Sequence, residues 1–297
     1  MSNPKLSFAL FGNEYQPQKA PLFINIIKEL QKHGALVYID STFYRFLNKE
    51  AKLPIDKQRM IEGNNFNVDY AISVGGDGTF LKAAHRIGAK NIPLIGVNTG
   101  RLGFLAGILP TEIKDTINSI YEGKYFLERH SVLQLEKDGE PISGSPCALN
   151  EIAILKLDHA SMITIKALVN NAYLVTYQAD GLIVATPTGS TAYNLSNAGP
   201  IMTPSTPIIC LTPVAPHSLN IRPIVLNDNS VITLTVVSRS HHFLAAIDGK
   251  SYKLTEGTKI CIRKAPYSIQ VVKLLGQRFF DTLREKLMWG ADTRVNI

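Results

Sequence analysis

Apolar and polar positions in the first part of the chain alternate between short apolar runs and stripes with helical spacing. The runs predict four β-strands, at 6–11, 35–39, 69–74 and 92–97. Apolar residues three and four apart predict helices over 20–32 and 80–87, and a third from a cap at Thr111 to Tyr121, closed by Gly123. Alternation of this kind predicts an α/β domain with a parallel sheet.

The pattern changes beyond residue 127. Asp138-Gly139 and Asn170-Asn171 have the composition of hairpin turns. Short apolar runs at 162–169, 173–178, 231–237, 259–263 and 269–275 predict strands of a β-rich, sandwich-like domain. The tail at 278–289 returns to helical spacing and is expected to pack on the first domain. The predicted domains are therefore 1–126 together with 276–297, and 127–275.

Composition narrows the class of protein. The chain has 297 residues, 45% of them hydrophobic, and no apolar run approaches the roughly 18 residues that span a bilayer. Three scattered cysteines suggest neither a disulfide framework nor a zinc site. The formal charge of +7 comes from dispersed Lys and Arg residues, without the basic block expected of a nucleic-acid binder. We expect a cytoplasmic protein with no membrane or nucleic-acid partner.

Gly75-Gly76-Asp77-Gly78-Thr79 carries the clearest chemistry. It lies between a predicted strand and a predicted helix. Glycines let the backbone approach a phosphate, and the free N–H groups at the helix start attract it. Asp77 would repel phosphate unless it binds a metal or accepts a proton from a hydroxyl nucleophile. The plainer alternative is a tight turn with a solvated carboxylate.

Three further clusters carry polar groups. A glycine-punctuated loop at 98–105 follows another predicted strand, as many connectors do. Asn150-Glu151 lies inside the apolar strand 148–154, where a buried side chain needs a partner; a salt bridge at the strand edge is the alternative. The block 180–196 combines Asp180, several hydroxyl groups, two glycines and Tyr193, a set suited to ribose and pyrophosphate oxygens beside a base.

These segments together resemble the bacterial members of the NAD kinase family. The matching motifs, in order and spacing, are Gly-Gly-Asp-Gly at 75–78, Asn-Thr-Gly at 98–100, Asn-Glu at 150–151, the block 180–196, Pro200 with Thr203-Pro204, Pro213 to His217 and Asp248-Gly249. The resemblance covers nearly the whole chain. It implies an α/β N-terminal domain, a β-rich C-terminal domain and a homo-oligomer, a dimer or tetramer.

The resemblance also implies roles for residues. Asp77 matches the catalytic aspartate that accepts the proton of the adenosine ribose 2′-hydroxyl of NAD; a role as metal ligand is the main alternative, and the two roles do not exclude each other. The reaction would take the terminal phosphoryl group from ATP, or from polyphosphate, with a divalent cation such as Mg²⁺, and yield NADP. The positions that match NAD contacts are Asp77, Gly78, Lys82, Asn150, Glu151, Gln178, Asp180, Thr191, Ala192, Tyr193, Asn194, Leu195, Ser196 and Ala215.

Two positions depart from the family pattern. Gln178 stands where several relatives have an arginine, so a charge-assisted phosphate contact is missing here. Lys250 stands where some relatives have a glutamine. Lys82 matches a basic position of the family, but a lysine exposed to solvent on a helix explains it equally well. Two rival functions remain: a lipid kinase, which shares the Gly-Gly-Asp-Gly turn but should lack the 186–196 block, and a non-catalytic NAD(P)-sensing module, which would not need Asp77.

Overall fold

A computed structural model describes residues 5–12, 19–51, 59–100, 103–144, 146–157 and 161–290. Arg101 and Leu102 of the predicted 98–105 loop lie outside these residues. The chain divides into two compact units, Met1–Glu128 with Ile269–Ile297, and Arg129–Ser268. Among the described residues, no helix is both long and apolar enough to cross a membrane.

The first unit contains a parallel sheet with helices, as predicted. Its strands are β1 (Ser7–Gly12), β2 (Leu36–Asp40), β3 (Met60–Ile61), β4 (Tyr70–Gly75) and β5 (Leu94–Asn98), in the order β3-β2-β1-β4-β5. Its helices are α1 (Ala20–Lys32), α2 (Ser41–Ala51), α3 (Asp77–Ile87), α4 (Ile113–Tyr121) and, at the end of the chain, α6 (Phe279–Leu287). The apolar stripe of α1 is buried, including Phe23, Ile26 and Leu30.

Two local predictions in this unit need correction. Thr111 does not cap the fourth helix with its side chain; a 3₁₀ turn at Pro110–Glu112 precedes α4. Glu112 takes the capping role instead, because its Oε2 accepts a 2.7 Å hydrogen bond from the N–H of Leu109. The helix over 80–87 begins earlier than predicted, at Asp77.

The second unit is built from antiparallel strands. One sheet has the order β14-β13-β12-β9-β16-β17. Its strands are β9 (Glu151–Lys156), β12 (Gly181–Ala185), β13 (Ile208–Val214), β14 (Ile224–Asn227), β16 (His242–Ile247) and β17 (Lys250–Thr255). A four-residue helix, α5 (Tyr193–Ser196), follows β12. The other strands of the second half are β6 (Tyr125–Lys137), β7 (Glu140–Pro141), β8 (Cys147–Ala148), β10 (Ile163–Val169), β11 (Ala172–Ala179), β15 (Ile232–Val237) and β18 (Lys259–Leu274).

The core of this unit is formed by side chains from the six-stranded sheet and from the other strands of the unit. Ile154 and Leu182 from the first sheet share one buried cluster with Ile165 and Leu234 from β10 and β15. The predicted hairpin turns are present, with positive φ at Asp138 and at Asn170-Asn171. The strands predicted at 259–263 and 269–275 form one continuous strand, β18. The predicted α/β and β-rich fold class is confirmed.

Candidate functional site

The glycine-rich turn after β4 places Asp77 in the first turn of α3. The carbonyl oxygen of Gly76 accepts hydrogen bonds from the N–H groups of Thr79 and Phe80, at 3.0 and 3.1 Å, which starts the helix. A carboxylate in the first turn of a helix is stabilised by the helix dipole. Gly76 and Gly78 on either side are exposed, so the turn is open to a ligand.

Three backbone N–H groups hold the Asp77 carboxylate. Phe104 donates to Oδ2 at 3.0 Å, while Leu105 and Ala106 donate to Oδ1 at 3.2 and 3.3 Å. The side chain is 32% exposed. A carboxylate offers about four acceptor positions, so these bonds occupy Oδ1 and leave one position without a hydrogen bond on Oδ2, which the Lys286 ammonium group faces at 3.7 Å. The structure therefore presents Asp77 with a fixed orientation and one oxygen available to a ligand.

Lys286, near the end of α6, is a neighbour of Asp77 that the sequence reasoning missed. Its Nζ lies 3.7 Å from Oδ2 of Asp77 and 4.6 Å from the ring centroid of Phe104. The Phe104 ring in turn contacts Phe279. No motif marks Lys286, because a lysine in a helical tail has no local signal for chemistry. Lys82, predicted as a contact, is exposed on α3.

The loop after β5 lies beside the Asp77 turn. Thr99 donates its N–H to the carbonyl oxygen of Gly75, and Lys19 Nζ donates to the Thr99 hydroxyl at 3.1 Å. The buried Asn98 side chain accepts a 2.7 Å hydrogen bond from the N–H of Gly100. The polar ends of β4 and β5 therefore come together, as expected where parallel strands end.

In the second unit, Asn150 and Glu151 stand at a break between strands. The sequence predicted both residues inside one strand, but β8 ends at Ala148 and β9 begins at Glu151. Both side chains are buried, at 8% exposure each. Asn150 Oδ1 and Glu151 Oε2 have no hydrogen-bond partner in the described part of the chain. Buried polar atoms of this kind need a partner, and a ligand can supply it.

Glu151 has an unusual electrostatic environment. Burial, together with the nearby negative charge of Asp248, raises the pKa of its carboxyl group to about 8. The backbone N–H of Tyr193 donates a hydrogen bond to this carboxyl group and acts in the opposite direction. A carboxyl group with this pKa is largely protonated at neutral pH.

The 191–196 block packs beside this break. The N–H of Thr186 donates to the carbonyl oxygen of Asn150 at 2.9 Å, and a 3₁₀ turn at Thr188–Thr191 follows. The fully buried Asn194 side chain accepts a 2.6 Å hydrogen bond from Thr212 and donates to the carbonyl of Pro200 at 3.1 Å. The other members of the block, Thr191, Ala192, Tyr193, Leu195 and Ser196, are partly or well exposed. Asn194 therefore holds the segment, while its neighbours are open to a ligand.

Gln178, Asp180 and Ala215 lie at the opposite end of β12 from that block. Asp180 donates its N–H to the carbonyl of Val214 and pairs through Oδ1 with Lys156 at 2.7 Å. Gln178 lines an open depression together with Met162 and Arg239. The five residues of β12, at about 3.3 Å per residue, separate this group from the residues around Glu151. The structure thus divides the predicted contacts of the second unit into two groups.

A metal cation has a limited set of protein ligands here. In the described ranges, no group of three or more His, Cys, Asp or Glu side chains is placed to hold a metal ion. Mg²⁺ is commonly bound by one or two carboxylates together with substrate phosphates and water. The partly exposed Asp77 carboxylate, with its open position on Oδ2, fits that kind of ligand.

Family models match both parts of the chain. Residues 8–125 match the ATP-NAD kinase N-terminal domain, and residues 149–274 match the ATP-NAD kinase C-terminal domain. Among solved structures, the yeast NADH kinase complexed with NADH superposes with a TM-score of 0.88 at 23% identity, covering 99% of this chain and 91% of that one. An NAD kinase from Archaeoglobus fulgidus in complex with ATP gives a TM-score of 0.72 at 23% identity, with 94% and 99% covered. At this identity the two structures support the fold.

Curated relatives are much closer in sequence. The NAD kinase of Bacteroides fragilis strain ATCC 25285 is 56% identical over 290 residues, which is 98% of this chain and all of the relative. The NAD kinase of Porphyromonas gingivalis strain W83 is 42% identical over 286 residues, 96% of this chain and 99% of the relative. Because the family models and these relatives cover nearly the whole chain, the chain belongs to the NAD kinase family.

Proposed function

We propose that this NAD kinase family member transfers the terminal phosphoryl group of ATP to the adenosine ribose 2′-hydroxyl of NAD, with Asp77 as the general base. The observation that carries the role of Asp77 is its carboxylate, fixed by three backbone N–H groups with one position left on Oδ2. A ribose hydroxyl is a weak nucleophile at neutral pH. A positioned base removes its proton as the bond to phosphorus forms.

The cation and the base compete for the same oxygen. Oδ1 of Asp77 already accepts two backbone hydrogen bonds, so a metal ion and the ribose hydroxyl would both approach Oδ2. We assign Oδ2 to the ribose proton in the reacting complex. Asp77, together with the donor phosphates, would hold a divalent cation such as Mg²⁺, which would neutralise phosphate charge. Lys286, whose Nζ lies 3.7 Å from Oδ2 of Asp77, adds positive charge near the carboxylate for the same purpose.

The buried, unpartnered atoms of Asn150 and Glu151 support binding of NAD at the start of β9. We assign the adenosine half of NAD to Asn150, Glu151 and the exposed members of 191–196, with Tyr193 beside the base. Gln178, Asp180 and Ala215 are proposed as further contacts at the other end of β12. Because NAD is a long molecule with two nucleosides, contacts in two groups are compatible with one ligand.

Truncation in this pocket should weaken NAD binding. Tyr193→Ala removes an aromatic neighbour of the base and is expected to cost on the order of 1 kcal/mol. Asn150→Ala removes a hydrogen-bond partner of the ligand, at about 1–3 kcal/mol. Isothermal titration calorimetry with NAD measures both losses of binding free energy. The controls are Tyr173→Ala, a tyrosine that is 62% exposed on β11, and Asn229→Ala in an exposed turn. Unchanged NAD affinity in both pocket variants would show that the pocket is wrongly placed.

The substrate class separates this proposal from a lipid kinase. The candidate contacts are mostly short, hydroxylic or acidic, whereas a lipid acceptor needs an apolar slot to bury its chain, at about 0.8 kcal/mol per methylene. With ATP and Mg²⁺, we expect NADP to form from NAD, detected with an NADP-specific dehydrogenase, and no phosphorylation of detergent-dispersed diacylglycerol or sphingosine. NAD lacking the 2′-hydroxyl should compete with NAD without being phosphorylated. Lipid phosphorylation without NADP would support the lipid kinase, and NAD binding without turnover would support a sensing module.

We further propose a cytoplasmic homo-oligomer, a dimer or tetramer. The scattered cysteines fit a reducing compartment. In the first unit Leu275, Phe280, Met288 and Trp289, all within the last part of the chain, are each more than half exposed, and exposed apolar surface is typical of proteins that associate. Polyphosphate remains an alternative phosphoryl donor, to be tested in the same assay in place of ATP.

A further inference from the structure

The turn between β16 and β17 is hydrogen-bonded to the backbone at the start of β9. Its residues Asp248 and Gly249 both have positive φ, at 45° and 82°. The Asp248 carboxylate accepts hydrogen bonds from the N–H groups of Leu149, Asn150 and Glu151, at 2.8, 2.9 and 3.2 Å. In return, the N–H of Asp248 donates to the carbonyl oxygen of Glu151 at 3.1 Å. One aspartate thus fixes the backbone that carries the Asn150-Glu151 pair.

The same arrangement puts a second carboxyl group beside Asp248. Glu151 is 8% exposed, and its Oε2 has no hydrogen-bond partner in the described part of the chain. Within the described residues, no Lys, Arg or His forms an ion pair with it. Two neighbouring carboxyl groups are not both ionised readily, because each negative charge disfavours the other.

We propose that Asp248 is a positioning residue that fixes the Asn150-Glu151 pair and keeps Glu151 protonated, so that Glu151 donates a hydrogen bond to an acceptor oxygen of bound NAD. This inference rests on the proposed NAD pocket. The raised pKa of Glu151, about 8, agrees with it and has burial as its main cause and Asp248 as the second. A protonated Glu151 also avoids the repulsion that a carboxylate would exert on the phosphates of NAD.

Tyr193, Cys147 and Tyr267 adjoin this pair of carboxyl groups. From α5, Tyr193 reaches Glu151 through its backbone N–H. Cys147 and Tyr267, which both feel the charge of Asp248, share a hydrogen bond, and burial raises the pKa of each. Both groups therefore stay neutral over the range in which Glu151 titrates. Asp248 is the charge that acts on Glu151, and its removal should move the titration to lower pH.

The first test measures protonation without ligand. An acid whose pKa is raised by folding lowers stability as pH rises from its unfolded value, 4.5, towards its folded value of about 8. The melting temperature of the wild type should therefore fall relative to that of Glu151→Gln between about pH 5 and pH 8, and the difference should level off above pH 8. The fall should shrink in an Asp248→Asn background. A constant difference across this range contradicts the protonated state.

The second test measures NAD binding against pH by titration calorimetry. Wild-type affinity should be constant up to about pH 7.5 and then fall by up to tenfold per pH unit. Glu151→Gln, a permanent hydrogen-bond donor, should bind NAD without this dependence on pH. Asp248→Asn should shift the midpoint to lower pH. The control is Asp138→Asn, a second Asp-Gly hairpin turn whose carboxylate accepts the N–H of Lys259; it should leave the midpoint unchanged.

The outcomes separate the two proposals. A merely structural Asp248 predicts equal loss of affinity at every pH with the midpoint unmoved, which overturns the inference. A flat wild-type profile with weak binding by Glu151→Gln shows an ionised acceptor instead, and overturns it too. If the melting curves show a protonated Glu151 but the wild type binds no NAD at any pH, the proposed NAD pocket is wrong. The role of Glu151 as a hydrogen-bond donor to NAD is then wrong as well.

Discussion

Replacement of Asp77 by asparagine is expected to lower kcat by roughly two to four orders of magnitude, the range for loss of a general base. The asparagine side chain has nearly the same shape and can still accept a backbone N–H and hydrogen-bond a sugar. It cannot take the ribose proton. The loss should therefore appear in kcat, measured as NADP formed at saturating ATP and NAD, while the dissociation constant for NAD changes little.

A structural effect must be separated from this chemical one, because Asp77 also accepts hydrogen bonds from residues 104–106. The melting temperature of Asp77→Asn reports any damage to that segment. Asp69→Asn is a matched control, since Asp69 likewise accepts a backbone hydrogen bond, from Ser7 at 2.7 Å, and lies outside the site. Near-wild-type turnover in Asp77→Asn would exclude the general-base role.

The elements that the sequence predicts well are those fixed by local patterns. Helix α1 has its predicted bounds, because a stripe of apolar residues needs only its own spacing to define a buried face. The hairpin turn at Asn170-Asn171 likewise follows from residues that tolerate positive φ. The alternation of strands and helices gave the parallel sheet of the first unit without any long-range information.

The elements that the sequence predicts poorly depend on distant partners. The sequence pattern does not predict helix α2, which lies between the second and third predicted strands. The continuous strand β18 looked like two strands, since 264–268 carries Lys264, Ala265 and Pro266 rather than a steady apolar alternation. The break before Glu151 exists because Asp248, 97 positions away, binds the backbone there.

The candidate site likewise combines features that local sequence predicts with features that depend on distant residues. The Gly-Gly-Asp-Gly turn is readable from local sequence, because a strand, glycines and a helix start occur together. What holds its carboxylate is not readable: Phe104 lies 27 positions away, and Lys286 comes from the last helix. The sequence marks Asp248-Gly249 as a motif, but the anchoring of the backbone by Asp248 depends on the folded turn.

The close approach of Gly103 to Asp77 gives the second large expected effect. A Cβ at position 103 would lie 2.0 Å from Oδ1 of Asp77 and 2.8 Å from its Cγ. The carboxylate is the flexible end of the Asp77 side chain, so Gly103→Ala must push it away. This displacement breaks its hydrogen bonds with the N–H groups of Leu105 and Ala106. A misplacement of about 1 Å in a catalytic group can cost on the order of a hundredfold in rate.

We therefore expect Gly103→Ala to lower kcat about a hundredfold and the free energy of unfolding by about 1–3 kcal/mol, since two backbone N–H groups lose their acceptor. Gly107→Ala is the matched control, because a Cβ there meets no atom within 4 Å. In an Asp77→Asn background, Gly103→Ala should have little further effect on kcat, because both changes act on one group. If the two substitutions lower kcat by factors that multiply in the double variant, Gly103 acts on catalysis by a route other than Asp77. Wild-type turnover in Gly103→Ala would mean that the observed placement of the carboxylate is not required.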